Sequence, residues 1–135
     1  MPTNHDLLIT ACEQGNVNEV VRLIEEEQVN FHKNQNLALR QAAYHGQLEV
    51  VRILVERGAD IAAKNHDALT CAATCHSNNR LIDGVNPKQG NLDVVNYLLE
   101  NGANLEIARK NNTARWNSIM DNAIRARLRE LGYTI

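Results

Sequence analysis

No apolar run in this 135-residue chain is long; the longest are short pieces such as Val20-Val21 and Ile53-Leu54-Val55. A helix that crosses a bilayer needs roughly 20 consecutive apolar residues, so no membrane span is expected. The opening MPTNHDLLIT lacks both the basic stretch and the apolar segment of a Sec-type signal, and none is expected there. Cysteine is sparse: three, an odd count without framework spacing. That argues against a disulfide scaffold and for reduced thiols in a cytosol-like compartment. Basic charge is not in excess either. Fourteen Lys and Arg against 16 Asp and Glu give a net charge of −2, unlike a protein that grips nucleic acid. There is no glycine-rich phosphate loop, and no Ser or Cys sits in a nucleophile motif. The five histidines (His5, His32, His45, His66, His76) are scattered along the chain. Catalysis has no visible home, so neither an enzyme nor a cofactor is expected.

What is present is ordinary in bulk, 44% hydrophobic and 22% charged, and the length suits one domain with a real core. The charge is unevenly placed. Residues 1–30 hold six acids against Arg22 alone, while residues 107–135 hold six bases against Asp121 and Glu130.

An internal repeat organises the rest. Three segments align on a glycine: Gly15-Asn16-Val17-Asn18-Glu19-Val20, Gly46-Gln47-Leu48-Glu49-Val50-Val51 and Gly90-Asn91-Leu92-Asp93-Val94-Val95. The second residue on from each is Val17, Leu48 or Leu92, and the fifth is Val20, Val51 or Val95. The eighth and ninth are Leu23-Ile24, Leu54-Val55 and Leu98-Leu99. Such offsets put these side chains on one helical face. Ahead of each glycine slot runs a shorter periodic piece carrying a small pair, Ala11-Cys12, Ala42-Ala43 or Ala72-Ala73, which permits close helix approach. Asp6 and Asp67 are placed to cap these first helices. Gly58 and Gly102 stop the second helices, with Glu27 in that slot of the first unit. Each unit is thus a helix, a tight turn, a second helix and an extended connector, and stacked units share one apolar core. The third unit is longer by 13 residues at Ser77–Gln89, whose Asn-Asn, Asp-Gly and Asn-Pro steps read as an inserted loop. Beyond Gly102 the pattern weakens: one helix is expected from Asn112-Thr113, and another from Asp121 with Ile124, Leu128 and Leu131 inward.

The stretches GQLEVVRILVERGADIAAKN (46–65) and GNLDVVNYLLENGANLE (90–106) resemble the ankyrin repeat. The resemblance covers nearly the whole chain: about 5–34, 35–65, 66–108 with the insert 77–89, and a degenerate cap at 109–135. The family's Thr-Pro-Leu-His start is absent. The resemblance implies an all-α solenoid of stacked helix-turn-helix units with β-hairpin-like finger loops. It further implies that a partner protein binds the concave face, as a scaffold, an inhibitor or a host-directed effector. The location implied is cytoplasmic, or the host cytosol for an effector. The free chain is expected to be a monomer without a small-molecule substrate.

On that resemblance Glu13-Gln14, Tyr44-His45 and Thr74-Cys75 point toward the concave face. Asn34-Gln35-Asn36, Asn65-His66-Asp67 and Lys110-Asn111-Asn112 form the finger tips. The candidate partner contacts are Asn34, Gln35, Asn36, Arg40, Tyr44, His45, Asn65, His66, Thr74, Lys110, Asn111 and Trp116, with Arg80, Leu81 and Ile82 from the insert. Trp116, the single tryptophan, reads first as core of the cap and second as an interface anchor. The competing class is a metal-binding or enzymatic protein centred on Cys71, Cys75 and His76, with His45 one repeat away. The packing slot of Cys71 and the lack of paired ligand spacings speak against it. Nucleic-acid contact through Arg125, Arg127 and Arg129 is the third reading, but three arginines on a terminal cap are usually just solvated, and no nucleic acid is expected.

Overall fold

Val20, Val51 and Val95, the fifth residues of the three aligned segments, are all fully buried, and Leu23, Leu54 and Leu98 lie with them. That periodicity shapes the molecule. The computed structural model describes residues 2–74, 87–117 and 122–133, and among these it contains nine helices and no strand. They are α1 (Asn4–Gln14), α2 (Val17–Glu25), α3 (Lys33–Tyr44), α4 (Leu48–Glu56), α5 (Ala63–Thr74), α6 (Pro87–Glu100), α7 (Leu105–Asn111), α8 (Thr113–Asn117) and α9 (Asn122–Glu130). The first helices α1, α3 and α5 pack in one row, continued by α7 and α8 against α5. The second helices α2, α4 and α6 form the other row, which α9 closes. Between the rows lies one core of Leu, Val and Ala. The small pairs Ala11-Cys12, Ala42-Ala43 and Ala72-Ala73 are buried where the first helices touch.

Local chemistry sets the helix ends. Thr3 caps α1: its hydroxyl accepts the Asp6 amide at 3.1 Å, and Asp6 in turn accepts the Thr3 amide at 3.0 Å. Asp6 is therefore the inner member of a capping box and not the cap itself, because its carboxylate reaches back from the first turn. These bonds to Thr3 hold the Asp6 carboxyl below its ordinary value. Gly15 ends α1 at φ +72°. Its backbone lies against the Gln47 side chain, whose amide nitrogen donates to the Glu13 carbonyl at 2.9 Å and so ties the second unit to the first. The stop of α2 is Gln28 at φ +51°, not Glu27. The following Val29 amide bonds to Leu23 O just as Ala59 bonds to Leu54 O and Ala103 to Leu98 O.

The connectors depart from hairpins, and no strand pairs across them among the described residues. Asn30 and Asp60 each fold back to accept an amide two residues on, His32 N at 3.0 Å and Ala62 N at 2.9 Å. Three consecutive left-handed residues follow in both units: Asn34-Gln35-Asn36 and Lys64-Asn65-His66, all with φ between +54° and +59°. Non-glycine residues resist this conformation by roughly 1–2 kcal/mol each, so the turns need support from outside. Arg40 gives it to the first, donating to the Asn34 carbonyl at 2.8 Å and the Gln35 carbonyl at 3.1 Å. After the third unit a real helix, α7, stands where an extended connector was expected, N-capped by Asn104 on Ile107 N at 3.1 Å.

Two more expectations shift. Pro87, inside the supposed insert, opens α6, where a first-turn proline gives up no helical hydrogen bond. Leu131, expected inside, is exposed, while Ile124 and Leu128 are buried.

Candidate interaction edge

The left-handed turns bring one polar side chain of each into the interior. Asn36, 6% exposed, accepts the Asp60 amide at 3.1 Å through Oδ1. His66, 8% exposed, accepts the Asn104 amide at 3.1 Å through Nδ1. The two are equivalent: each ties one connector to the first backbone amide of the next. Both were read as finger-tip contacts, and the structure removes them from the accessible surface. Their exposed neighbours Asn34, Gln35, Lys64 and Asn65 remain outside.

Arg40 is also largely withdrawn. Besides holding the turn it pairs with Asp67 at 3.3 Å, their side chains 13% and 7% exposed. Asp67, expected as a helix cap and finger-tip residue, is buried inside α5 and accepts the Cys71 thiol at 3.4 Å. Trp116 packs inside, 3% exposed, with its indole N–H on Thr70 Oγ1 at 3.2 Å. The core reading of Trp116 is the one the structure supports. Tyr44 and His45 are exposed side by side at the end of α3, their rings edge to face at 5.1 Å. Lys110 and Asn111 are exposed on α7. Arg80, Leu81 and Ile82 lie outside the described residues, as does the side chain of Thr74.

Charge separates the two faces. On the second-helix side four arginines are paired: Arg22 with Glu19 and Glu27, Arg52 with Glu49, Arg57 with Glu25 and Arg127 with Glu130. Arg57 and Glu25 link adjacent units, and Arg52 also lies over the Tyr97 ring at 5.9 Å. Burial, with Glu56 nearby, pushes the Tyr97 hydroxyl up. On the connector edge Lys33, Lys64, Arg109 and Lys110 have no ion-pair partner among the described residues. Sequence reading missed Lys33, Lys64 and Arg109, which stand apart only once the pairing of the other cations is known. Beside Arg109 and Lys110 a shallow pocket of ≈ 270 Å³ is lined also by Glu106, Thr113 and Trp116.

Reactive chemistry has little to work with. Burial pushes the Cys12 thiol up to about 12, with Glu13 adding to it, so the nucleophilic thiolate is suppressed. Cys71 is buried on Asp67, while Cys75 and His76 lie outside the described residues. Among the described residues no three His, Cys, Asp or Glu side chains converge as a metal site would require. No described helix is long and apolar enough to cross a membrane.

Paired helices sharing an apolar seam, glycine-stopped second helices and cross-linked connectors define a repeat solenoid. The family model described as ankyrin repeats (3 copies) matches residues 2–65. The chain is 29% identical over 101 residues to the ankyrin repeat and KH domain-containing protein mask-1 of Caenorhabditis elegans. That alignment takes in 71% of this chain but 3% of the relative, so the likeness concerns the repeats alone. No solved structure matches the chain significantly.

Proposed function

We propose that this chain is a non-catalytic protein-interaction module, working in the cytoplasm as a free monomer that docks a partner along its connector edge and first-helix ends. Ankyrin repeats are in general protein-interaction modules. Asn34, Gln35, Tyr44, His45, Asn65, Lys110 and Asn111 are the proposed contacts, with Arg80, Leu81 and Ile82 of the insert as a second patch. The observation that carries this reading is the division of labour at the edge. Asn36, His66 and Arg40 fix the connectors from within, while their neighbours are exposed on a frame already ordered before binding. A pre-ordered frame loses little conformational entropy on docking. Tyr44 is the natural anchor, since tyrosine joins apolar area to a polar tip.

The test is affinity capture with the intact protein, a Tyr44→Ala/His45→Ala double variant and an outer-row control, Glu26→Ala. The double variant should lose captured protein while its thermal melt stays within a degree or two of the parent. Capture unchanged by the double variant, or lost equally in the control, sinks the reading.

A further inference from the structure

We infer that the partner segment is an extended acidic peptide, its carboxylates taken in succession by Lys33, Lys64 and the Arg109–Lys110 pair. This rests on the reading of the connector edge as the docking surface and names the chemistry that edge selects. The chain as a whole is negative, and along its second-helix row Arg22, Arg52, Arg57 and Arg127 are each matched by a nearby acid. The edge breaks that rule. Its four cations belong to successive connectors, Lys33 beside the first left-handed turn, Lys64 within the second, Arg109 and Lys110 on α7. None of them has an ion pair among the described residues, and Lys33, Lys64 and Lys110 are exposed. Cations without an ion pair, repeated once per unit on a protein that pairs Arg22, Arg52, Arg57 and Arg127 locally, form a ladder of like sign, with Asp6 the acid nearest its Lys33 end.

Geometry selects the form of that ligand. Packed helices stand about 8–10 Å apart, so successive connectors repeat at about that interval. A peptide in the extended polyproline II conformation has three residues per turn and advances roughly 3.1 Å per residue, so every third side chain faces the edge and meets the next rung. Beside the cations stand the amides of Gln35 and Asn65, exposed and able to bond a peptide main chain. The pocket walled by Glu106, Arg109, Lys110, Thr113 and Trp116 ends the row, where two cations against one acid take the last carboxylate. A single-stranded nucleic acid fits less well. It is gripped by bases stacked on a run of aromatic side chains, and the exposed connector residues offer only the His32 ring, already packed on Phe31 at 4.4 Å.

The experiment is fluorescence anisotropy at low salt with three labelled probes: a peptide of four Glu-Gly-Ser units, a peptide of the same composition with its glutamates in one block, and an oligouridylate. The spaced peptide should bind tightest, weaken with added salt, and lose about two- to fivefold for each of Lys64→Gln and Lys110→Gln. Arg52→Gln, whose cation is already matched by Glu49, should leave binding unchanged. No binding of the spaced peptide overturns the inference, as does equal affinity for the blocked peptide, tighter binding of the oligouridylate, or an Arg52→Gln loss equal to that of Lys64→Gln. The two claims fail separately. Peptide binding lost with the lysines while the Tyr44/His45 variant captures normally removes only the helix-end site. Normal peptide indifference beside a capture defect removes only the acidic ligand.

Discussion

The Arg40 guanidinium, 3.3 Å from the Asp67 carboxylate, joins the first helix of the second unit to that of the third. The same group holds two carbonyls of the left-handed turn behind it, at Asn34 and Gln35. One planar fork therefore fixes the shape of a connector and the contact between units, and neither task suits a shorter or non-planar cation. Removing one member of a largely buried pair leaves the other uncompensated. Arg40→Ala should lower stability by about 3 kcal/mol in urea unfolding, and Arg40→Lys should recover only a part of it. A loss below about 0.5 kcal/mol would show the pair to be incidental.

Asn36 and His66 make equivalent bonds, so they should respond alike. Asn36→Ala leaves the Asp60 amide without its partner, and His66→Ala does the same to Asn104. Each should cost about 0.5–1.5 kcal/mol, the usual net worth of one hydrogen bond, since Asp60 and Asn104 are themselves exposed. The sites share no partner, so the double variant should lose close to the sum. Chemical denaturation of the four proteins settles both points.

Two glycines with left-handed backbones should separate cleanly. At Gly58 an added Cβ meets open space, so Gly58→Ala bears only the conformational cost, about 1 kcal/mol. At Gly15 the same Cβ would strike the Gln47 carboxamide and disturb its bond to Glu13. Gly15→Ala should therefore be the more damaging by about 1 kcal/mol or more. Truncating Gln47 to Ala alongside it should narrow the gap in melting temperature.

The Cys12 thiol titrates near 12 in the folded chain, above its ordinary value, so the native state holds that proton more firmly than the unfolded one. Its contribution is intact below about pH 9 and disappears as the pH climbs toward 12. Alkaline unfolding should be blunted in Cys12→Ala, which places in this slot the residue that the next two units carry, Ala43 and Ala73. A thiol reagent at pH 8 should leave Cys12 untouched until urea opens the fold. Rapid labelling of native protein would contradict its burial.

The helices were legible because Val20, Val51 and Val95 recur at a fixed offset from a glycine slot, and helical geometry turns that offset into a buried stripe. The connectors were not. Asn34-Gln35-Asn36 and Lys64-Asn65-His66 look like solvated tips, and no residue preference announces three left-handed residues in a row without glycine. What makes the turns possible lies elsewhere: Arg40 behind the first of them, and Asn30 and Asp60 folding back ahead of each. For the same reason Asn36 and His66 read as surface, since the amides that donate to them, of Asp60 and Asn104, arrive from 24 and 38 residues away. Helix α7 was missed because the connector of the preceding unit, Ile61-Ala62-Ala63-Lys64-Asn65, set the expectation for Leu105–Asn111. Trp116 was placed correctly as core, but its Thr70 bond depends on a stacking register that sequence does not display.

Asn36 and His66 both reach a main-chain amide and never a particular side chain. Every non-proline residue supplies such a donor, so a neighbour need not be matched to them. At these two joints a unit makes no demand on the side chains next door, in contrast to the Arg40–Asp67 and Arg57–Glu25 pairs. The connectors are thereby held to the spine through bonds that leave the exposed neighbours Asn34, Gln35, Lys64 and Asn65 open to substitution.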